Sequence, residues 1–181
     1  MRIKHFLIAV VVLGFVGFIV FAPEGQRGDE QASRRPALEA PAPGFSLRDL
    51  SGRPWDLADL RGGVVVLNFW ASWCTTCRSE LPSLNALHEQ STQQPGLTVV
   101  TILYRDEPQK AADFMEKNGY TFPVLIDPEG AVAQAYGLTG VPETFVVDGK
   151  GVLRKSIIGP TVFDGPEALA YFRELALEKG S

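Results

Sequence analysis

The sequence predicts an α/β domain with a central mixed β-sheet and helices on both faces. Two predominantly apolar runs, residues 64–70 (VVVLNFW) and 97–103 (LTVVTIL), are typical of strands buried on both sides. A segment of helical periodicity follows each run, and residues 148–151 (DGKG) join two later strands as a hairpin. Strands that alternate with helices before a closing hairpin indicate this fold class.

The other elements follow in order along the chain. Residues 45–55 predict a short hairpin-like extension, because a Ser-Gly turn separates two apolar stretches. Residues 75–90 predict a helix with leucines on one side, and residues 108–118 predict a helix that ends at Gly119. The remaining predicted elements are a strand at 122–126, a short helix at 131–136, strands at 144–147 and 152–158, and an amphipathic helix at 166–178.

Composition and charge argue against a nucleic-acid partner. The 181 residues carry 17 Lys and Arg against 21 Asp and Glu, which gives a formal net charge of −4. No long run of one sign is present, and 45% of the residues are hydrophobic, as in a globular protein. We therefore predict no nucleic-acid binding.

The first 22 residues differ from the rest. Arg2 and Lys4 precede an uncharged apolar run at residues 6–22, which as a helix rises about 25 Å and so crosses a hydrocarbon core at the short end of the usual range. The positive charge predicts residues 1–5 in the cytoplasm and the remainder outside the membrane. A cleaved signal peptide is the alternative, although Pro23 would disfavour cleavage, and both alternatives export the domain.

Residues 23–42 predict a flexible tether between the anchor and the domain. They contain Gly, Pro, Ala, Gln and charges of both signs, without a periodic apolar face. The folded domain is accordingly predicted to occupy residues 43–181.

Cys74 and Cys77 are the only cysteines, and they lie where the first buried strand gives way to a helix. A disulfide across so short a ring contributes only about 2 kcal/mol by loop entropy, so we interpret the pair as redox-active rather than as a structural staple. The N–H groups and dipole of a helix N-terminus stabilise a thiolate. Cys74 is therefore predicted to be the exposed nucleophile, and Cys77, one turn later, the resolving thiol.

A metal site is the main alternative for this pair. Two cysteines supply half of a zinc site, and only His5 and His88 remain as further soft ligands. We predict neither a metal nor another cofactor. A copper or zinc carrier that binds through the two thiolates stays as an alternative from a different functional class.

The segment around the cysteines resembles the WCxxC active site of thioredoxin-fold proteins, and the resemblance extends over nearly all of residues 43–181. It is similar to the exported redoxins of the TlpA, ResA and DsbE/CcmG group, and it implies a membrane-tethered thiol–disulfide oxidoreductase with a thioredoxin-like fold. The segments that carry it are residues 43–47 (PGFSL), 67–74 (LNFWASWC), 104–111 (YRDEPQKA) and 140–145 (GVPETF).

The resemblance also implies partners for the cysteines. Pro142 is the expected cis-proline opposite the pair, with the Val141 backbone pairing with an extended substrate; an ordinary proline at the start of a strand is the alternative. Glu80 is expected to exchange a proton with the buried thiol, against the alternative of a solvated helix residue. Because Glu143 follows the proline, we predict that it lines the substrate groove, against the alternative of a surface carboxylate.

Other residues flank the pair. Trp70 is predicted to lie in the core, whereas Trp73 is predicted to shield the sulfur and to present an apolar docking face. We expect Arg78 to be a solvated helix residue and His88 to be non-catalytic. Thr76 stands where many relatives carry proline, and residues between the cysteines influence the reduction potential.

These observations predict a membrane-anchored periplasmic reductase of protein disulfides. The resemblance implies the oxidised CxxCH haem-attachment motif of apocytochrome c as the substrate during cytochrome c maturation, and a thiol-reductant donor in the membrane. A general periplasmic disulfide reductase or oxidant is the second prediction. A thiol peroxidase is a third, against which the WCxxC pair argues.

Overall fold

The computed structural model describes residues 35–93 and 95–178. The predicted anchor at 6–22 lies outside these residues, as does most of the predicted tether. Within the described part of the chain, none of the helices has the length and apolar character to cross a membrane.

A seven-stranded mixed sheet lies at the centre of the described residues. Its strands are β1 (Ser46–Asp49), β2 (Pro54–Asp56), β3 (Val64–Trp70), β4 (Leu97–Leu103), β5 (Val124–Ile126), β6 (Glu143–Val147) and β7 (Leu153–Ile158). Their order across the sheet is β2-β1-β5-β4-β3-β6-β7. The β3–β4 and β4–β5 pairs are parallel, whereas the other neighbours are antiparallel. The predicted mixed sheet, including the early hairpin, is confirmed.

Residues 35–93 and 95–178 also form four α-helices and one 3₁₀ turn: α1 (Cys77–Gln93), α2 (Pro108–Asn118), α3 (Ala131–Ala135), α4 (Pro166–Leu177) and the turn Leu57–Leu60. The bounds of α2 are those predicted, with Pro108 in the first turn and Gly119 left-handed at φ 69°. α1 begins two residues later than predicted, because residues 71–76 form the turn that carries Cys74. In this turn the Cys74 N–H donates to the Ala71 carbonyl at 3.1 Å.

Each face of the sheet has its own apolar cluster. The side chains of Val66 and Trp70 pack with α1, α2 and α4, whereas those of Leu67 and Phe69 pack with α3 and the 3₁₀ turn. The alternation follows from the period-two geometry of a strand. Helices therefore lie on both faces, as predicted, and the face with α1 carries the cysteines.

The predicted tether is wrong over its last residues, because residues 35–42 pack against the domain. Glu39 N–H donates to the Leu153 carbonyl at 2.8 Å, and Leu153 N–H donates to the Ala40 carbonyl at 2.9 Å. Pro41 forms an isolated bridge with Val152. A segment without a periodic apolar face still adopts a fixed conformation when the edge of a sheet supplies hydrogen-bond partners for its backbone. The composition of the segment does not reveal such partners.

Candidate active site

The two cysteines lie at the carboxyl end of β3, in the turn that leads into α1. They are closed as a disulfide with a Cα–Cα distance of 5.3 Å. Cys77 is the first residue of α1 and is fully buried. Cys74, predicted to be exposed, retains only 4% of its accessible surface in this oxidised state. That prediction is corrected, because the disulfide and the chain around Val141 cover the residue, yet Cys74 remains the more accessible of the pair.

Three groups surround the Cys74 sulfur. The Cys77 N–H donates to Cys74 Sγ at 3.1 Å, the hydroxyl of Thr76 lies 3.4 Å away, and the Val141 carbonyl oxygen lies at 3.6 Å. The first two are hydrogen-bond donors at the start of a helix. They are placed to stabilise negative charge on this sulfur when the disulfide opens.

The Thr76 hydroxyl is expected to influence the reduction potential of the pair. Its loss in Thr76→Val removes one donor from a reduced Cys74, destabilises the dithiol form, and makes the couple more reducing. We expect the equilibrium constant with glutathione to change by about tenfold, the value of one hydrogen bond to a charged group. Thr76→Ser should restore the original value, and Thr75→Val, at the exposed neighbour, should leave it unchanged. An equal change in both valine variants would contradict the role of the hydroxyl.

The loop before β6 faces the disulfide. The Val141-Pro142 peptide bond is cis, as predicted. The Pro142 carbonyl accepts a hydrogen bond from Gly159 N–H at 3.0 Å, which connects this loop to the end of β7. The Val141 carbonyl beside Cys74 Sγ is the geometry expected of a backbone that pairs with an incoming peptide, and that role stays a prediction.

Glu80 is buried, so the alternative of a solvated helix residue is wrong. Only 1% of its surface is accessible, one helical turn after Cys77 on the same side of α1. Its Oε1 accepts from Asn68 Nδ2 at 2.8 Å, and its Oε2 accepts from the Thr161 N–H at 3.0 Å. Burial raises the pKa of Glu80 to about 7, against the two hydrogen bonds, which lower it. A carboxyl group with this pKa gains and loses a proton near neutral pH.

Asn68 is a functional candidate that sequence reasoning missed. It is fully buried and donates from Nδ2 to both Glu80 Oε1 and Thr144 Oγ1, each at 2.8 Å. The three side chains connect α1, β3 and β6. The available signal was that Asn68 is the only polar residue in the apolar run 64–70.

The loop between β4 and α2 holds the other side of the site. Trp73 is 55% exposed, as its predicted docking role requires, and its Nε1–H donates to the Arg105 carbonyl at 3.2 Å. Asp106 Oδ2 accepts from the Ser72 N–H at 2.6 Å. Arg78 donates to the Ser72 carbonyl at 2.8 Å and so holds the turn instead of being merely solvated.

Trp70 and His88 were predicted to have no role in the chemistry of the cysteines. Trp70 lies in the core as predicted, fully buried, with Nε1–H donating to Thr101 Oγ1 at 3.0 Å. His88 lies on α1, half-buried and three turns beyond Cys77, and burial lowers its pKa. Trp70 belongs to the same buried apolar cluster as Cys74 and Cys77.

Glu143 is buried, neither lining a groove nor lying at the surface. Both the groove-lining prediction and its surface alternative are corrected, because only 1% of this residue is accessible. Glu143 and Phe69 are register partners in β6 and β3, so Glu143 projects to the face opposite Asn68 and Thr144. There its carboxylate pairs with the guanidinium of Arg35.

Comparison with known proteins agrees with this geometry. Residues 38–156 match the AhpC/TSA family. The chain is 34% identical to the thiol-disulfide oxidoreductase ResA of Geobacillus thermodenitrificans over 88% of this chain and 86% of that protein. It is 38% identical to the thiol:disulfide interchange protein HelX of Rhodobacter capsulatus over 88% of each.

A solved structure supports the same assignment. The crystal structure of a putative thiol:disulfide interchange protein DsbE from Chlorobium tepidum superposes with a TM-score of 0.66 at 29% identity, over 79% of this chain and 97% of that one. The chain therefore belongs to the AhpC/TSA family and is a thioredoxin-like thiol–disulfide oxidoreductase of the ResA, HelX and DsbE type.

Proposed function

We propose that this protein reduces disulfides of other proteins on the outer side of the cytoplasmic membrane, with Cys74 as the attacking thiolate and Cys77 as the resolving thiol. The observation that carries the proposal is the placement of Cys74 Sγ. The sulfur lies against the first N–H of α1 and beside the Val141 carbonyl, next to the cis-proline. A substrate strand paired with Val141 brings its disulfide to this sulfur.

The reaction proceeds in two exchanges. The Cys74 thiolate attacks one sulfur of the substrate disulfide, and the other substrate sulfur leaves as a thiolate. Cys77 then transfers its proton to Glu80 and attacks Cys74 Sγ, which forms the Cys74–Cys77 disulfide and releases the second substrate thiolate. The substrate gains two electrons, and the pair loses two. A membrane thiol reductant then restores the dithiol.

The proposal also names a substrate and a location in the cell. The oxidised CxxCH motif of apocytochrome c is the proposed substrate, supported by the similarity to the HelX and DsbE interchange proteins. The proposed periplasmic location, with a single-pass anchor at residues 6–22, is supported by the apolar run and the preceding charges of the sequence. Trp73 supplies the proposed apolar docking face, since its ring is exposed beside Cys74.

Trapping the mixed disulfide tests the proposal. The full chain with Cys77→Ala, incubated reduced with an oxidised CxxCH peptide, is expected to accumulate one peptide on Cys74, as measured by mass spectrometry. Cys74→Ala is the matched control, in which the remaining Cys77 is fully buried and should form no adduct.

The alternatives give different results. A second peptide carries the same CxxC disulfide ring within an unrelated flanking sequence. If it is trapped equally well, the result would contradict apocytochrome c as the specific substrate and favour a general reductase. Failure of both peptides to react would contradict the reductase function. A Cys74–Cys77 couple as oxidising as that of a strong oxidant would reverse the proposed direction of electron flow.

A further inference from the structure

The amide of Asn68 is placed unusually for a buried side chain. Its Nδ2 makes two hydrogen bonds, to Glu80 Oε1 and Thr144 Oγ1. Its Oδ1 is buried and finds no hydrogen-bond partner among the described residues. Buried amide oxygens are rarely left in this way, so the arrangement calls for a physical reason.

Both hydrogen-bond partners of the Asn68 amide can act as donor or as acceptor, which gives a reason for the unpartnered Oδ1. A carboxyl oxygen accepts a hydrogen bond when ionised and can donate one when protonated, and a threonine hydroxyl both donates and accepts. Rotation of the amide by half a turn would exchange Nδ2 for Oδ1 without changing the shape of the side chain. Oδ1 would then accept from both partners, while Nδ2 would occupy the unpartnered side.

We propose that the Asn68 amide rotates with the protonation of Glu80, donating to the carboxylate and accepting from the carboxylic acid. Asn68 is thereby a positioning residue that keeps Glu80 hydrogen-bonded in both protonation states. A fixed donor would satisfy only the ionised state, and a fixed acceptor only the neutral one. In the observed orientation Oδ1 has no hydrogen-bond partner among the described residues, so rotation breaks no hydrogen bond of this oxygen.

The inference deepens the proposed function and rests on it in one respect, the proton transfer from Cys77 to Glu80. The carboxylate that takes this proton becomes a donor within a closed apolar site, where an unsatisfied O–H is costly. Rotation of Asn68 supplies the acceptor, and Thr144 reverses its hydroxyl at the same time. Because Thr144 is two residues after Pro142, the proton state of Glu80 is connected to the strand that begins at the cis-proline loop.

The groups that face Glu80 leave its titration simple to follow in the oxidised protein. Its carboxylate accepts from Asn68 in the sheet and from the Thr161 N–H in the loop before α4, Thr144 binds the same Asn68 amide, and Cys77 lies one turn earlier on its own helix. The disulfide holds Cys77 uncharged, and no charged side chain of the described residues hydrogen-bonds or pairs with this carboxylate.

The side-chain amide signals of Asn68 test the rotation directly. In the oxidised full chain labelled with nitrogen-15 and carbon-13, both proton signals of the Asn68 amide should shift between alkaline and acid pH and lose their nuclear Overhauser contacts with the Thr144 side chain, with the same midpoint as the Glu80 carboxyl carbon. Glu80→Gln should abolish this shift. Signals of Asn68 that stay constant while Glu80 titrates would overturn the proposal, whatever the outcome of the trapping experiment.

Asn68→Leu provides a second measurement, with Asn85→Leu as its matched control. Leucine makes no hydrogen bond to Glu80 in either protonation state. The bond lost from the ionised carboxylate is stronger than the bond lost from the neutral acid, so the ionised form is destabilised more. We expect the pKa of Glu80 to rise by about one unit. Asn85 is also a nearly buried amide, but it binds Glu89 and the Thr121 N–H. An unchanged pKa of Glu80 in Asn68→Leu, or an equal rise in both variants, would contradict the role of Asn68.

Discussion

Glu80→Gln is expected to slow the resolution of mixed disulfides by about 100-fold at neutral pH, the lower end of what a general acid–base group contributes. Glu80 is buried beside the start of α1, and its pKa near 7 lets it accept the Cys77 proton and release it again. Glutamine has nearly the same shape but does not take up a proton. The rate is measured by stopped-flow detection of the reduced peptide as it is released from its mixed disulfide with Cys74.

The matched control is Glu116→Gln, which removes an exposed carboxylate from α2 and should leave the rate unchanged. The first exchange, attack by Cys74, should also be little affected in Glu80→Gln. A uniform slowing of both exchanges would indicate a distorted site, and an unaltered second exchange would contradict the proton transfer to Glu80.

The pH dependence of stability provides a readout independent of the chemistry. The pKa of Glu80 lies near 7 in the folded protein and at its ordinary 4.5 in the unfolded chain, so the folded state holds its proton more tightly. The contribution of Glu80 to stability is therefore largest below pH 4.5, declines as pH rises towards 7, and levels off above it, by about 3 kcal/mol in total. In Glu80→Gln this decline should disappear, as measured by urea unfolding of the oxidised protein.

Much of the fold was predictable because its signals are local. The apolar runs in β3 and β4 and the glycine after α2 mark elements whose bounds depend on neighbouring residues alone. The start of α1 was placed too early, because the turn around Cys74 is held by side chains from elsewhere. Asp106, from the loop after β4, binds the Ser72 N–H across 34 positions of the sequence.

The partners of the site depend on long-range pairing that a single sequence does not reveal. Glu80 and Pro142 were predicted as site residues because the sequence resembles a known family around those positions. Asn68 and Thr144, separated by 76 positions, meet only through the antiparallel register of β3 and β6. The same register sends Glu143 to the opposite face, since adjacent strand residues alternate. Position next to the cis-proline therefore did not place Glu143 in the site.

Arg35→Ala is expected to lower the free energy of unfolding by about 3 kcal/mol, because it leaves the buried Glu143 carboxylate without its cation. The guanidinium pairs with Glu143, donates to Ser156 Oγ at 2.6 Å, and lies 5.7 Å from the centre of the Phe145 ring. Arg35 is itself 30% exposed, so the lower end of the range for buried pairs applies. The measurement is denaturant unfolding of the oxidised protein.

A double-mutant cycle separates loss of the pair from loss of packing. Glu143→Gln in the Arg35→Ala background should recover most of the lost stability, because a neutral amide needs no counter-charge. Arg48→Ala is the matched control, since that arginine donates to the Gly52 carbonyl at the surface, where such bonds contribute little. Additive effects of the two substitutions would mean that the pair contributes nothing. A non-additive result would show that residues assigned by composition to a tether stabilise the strand that follows the cis-proline.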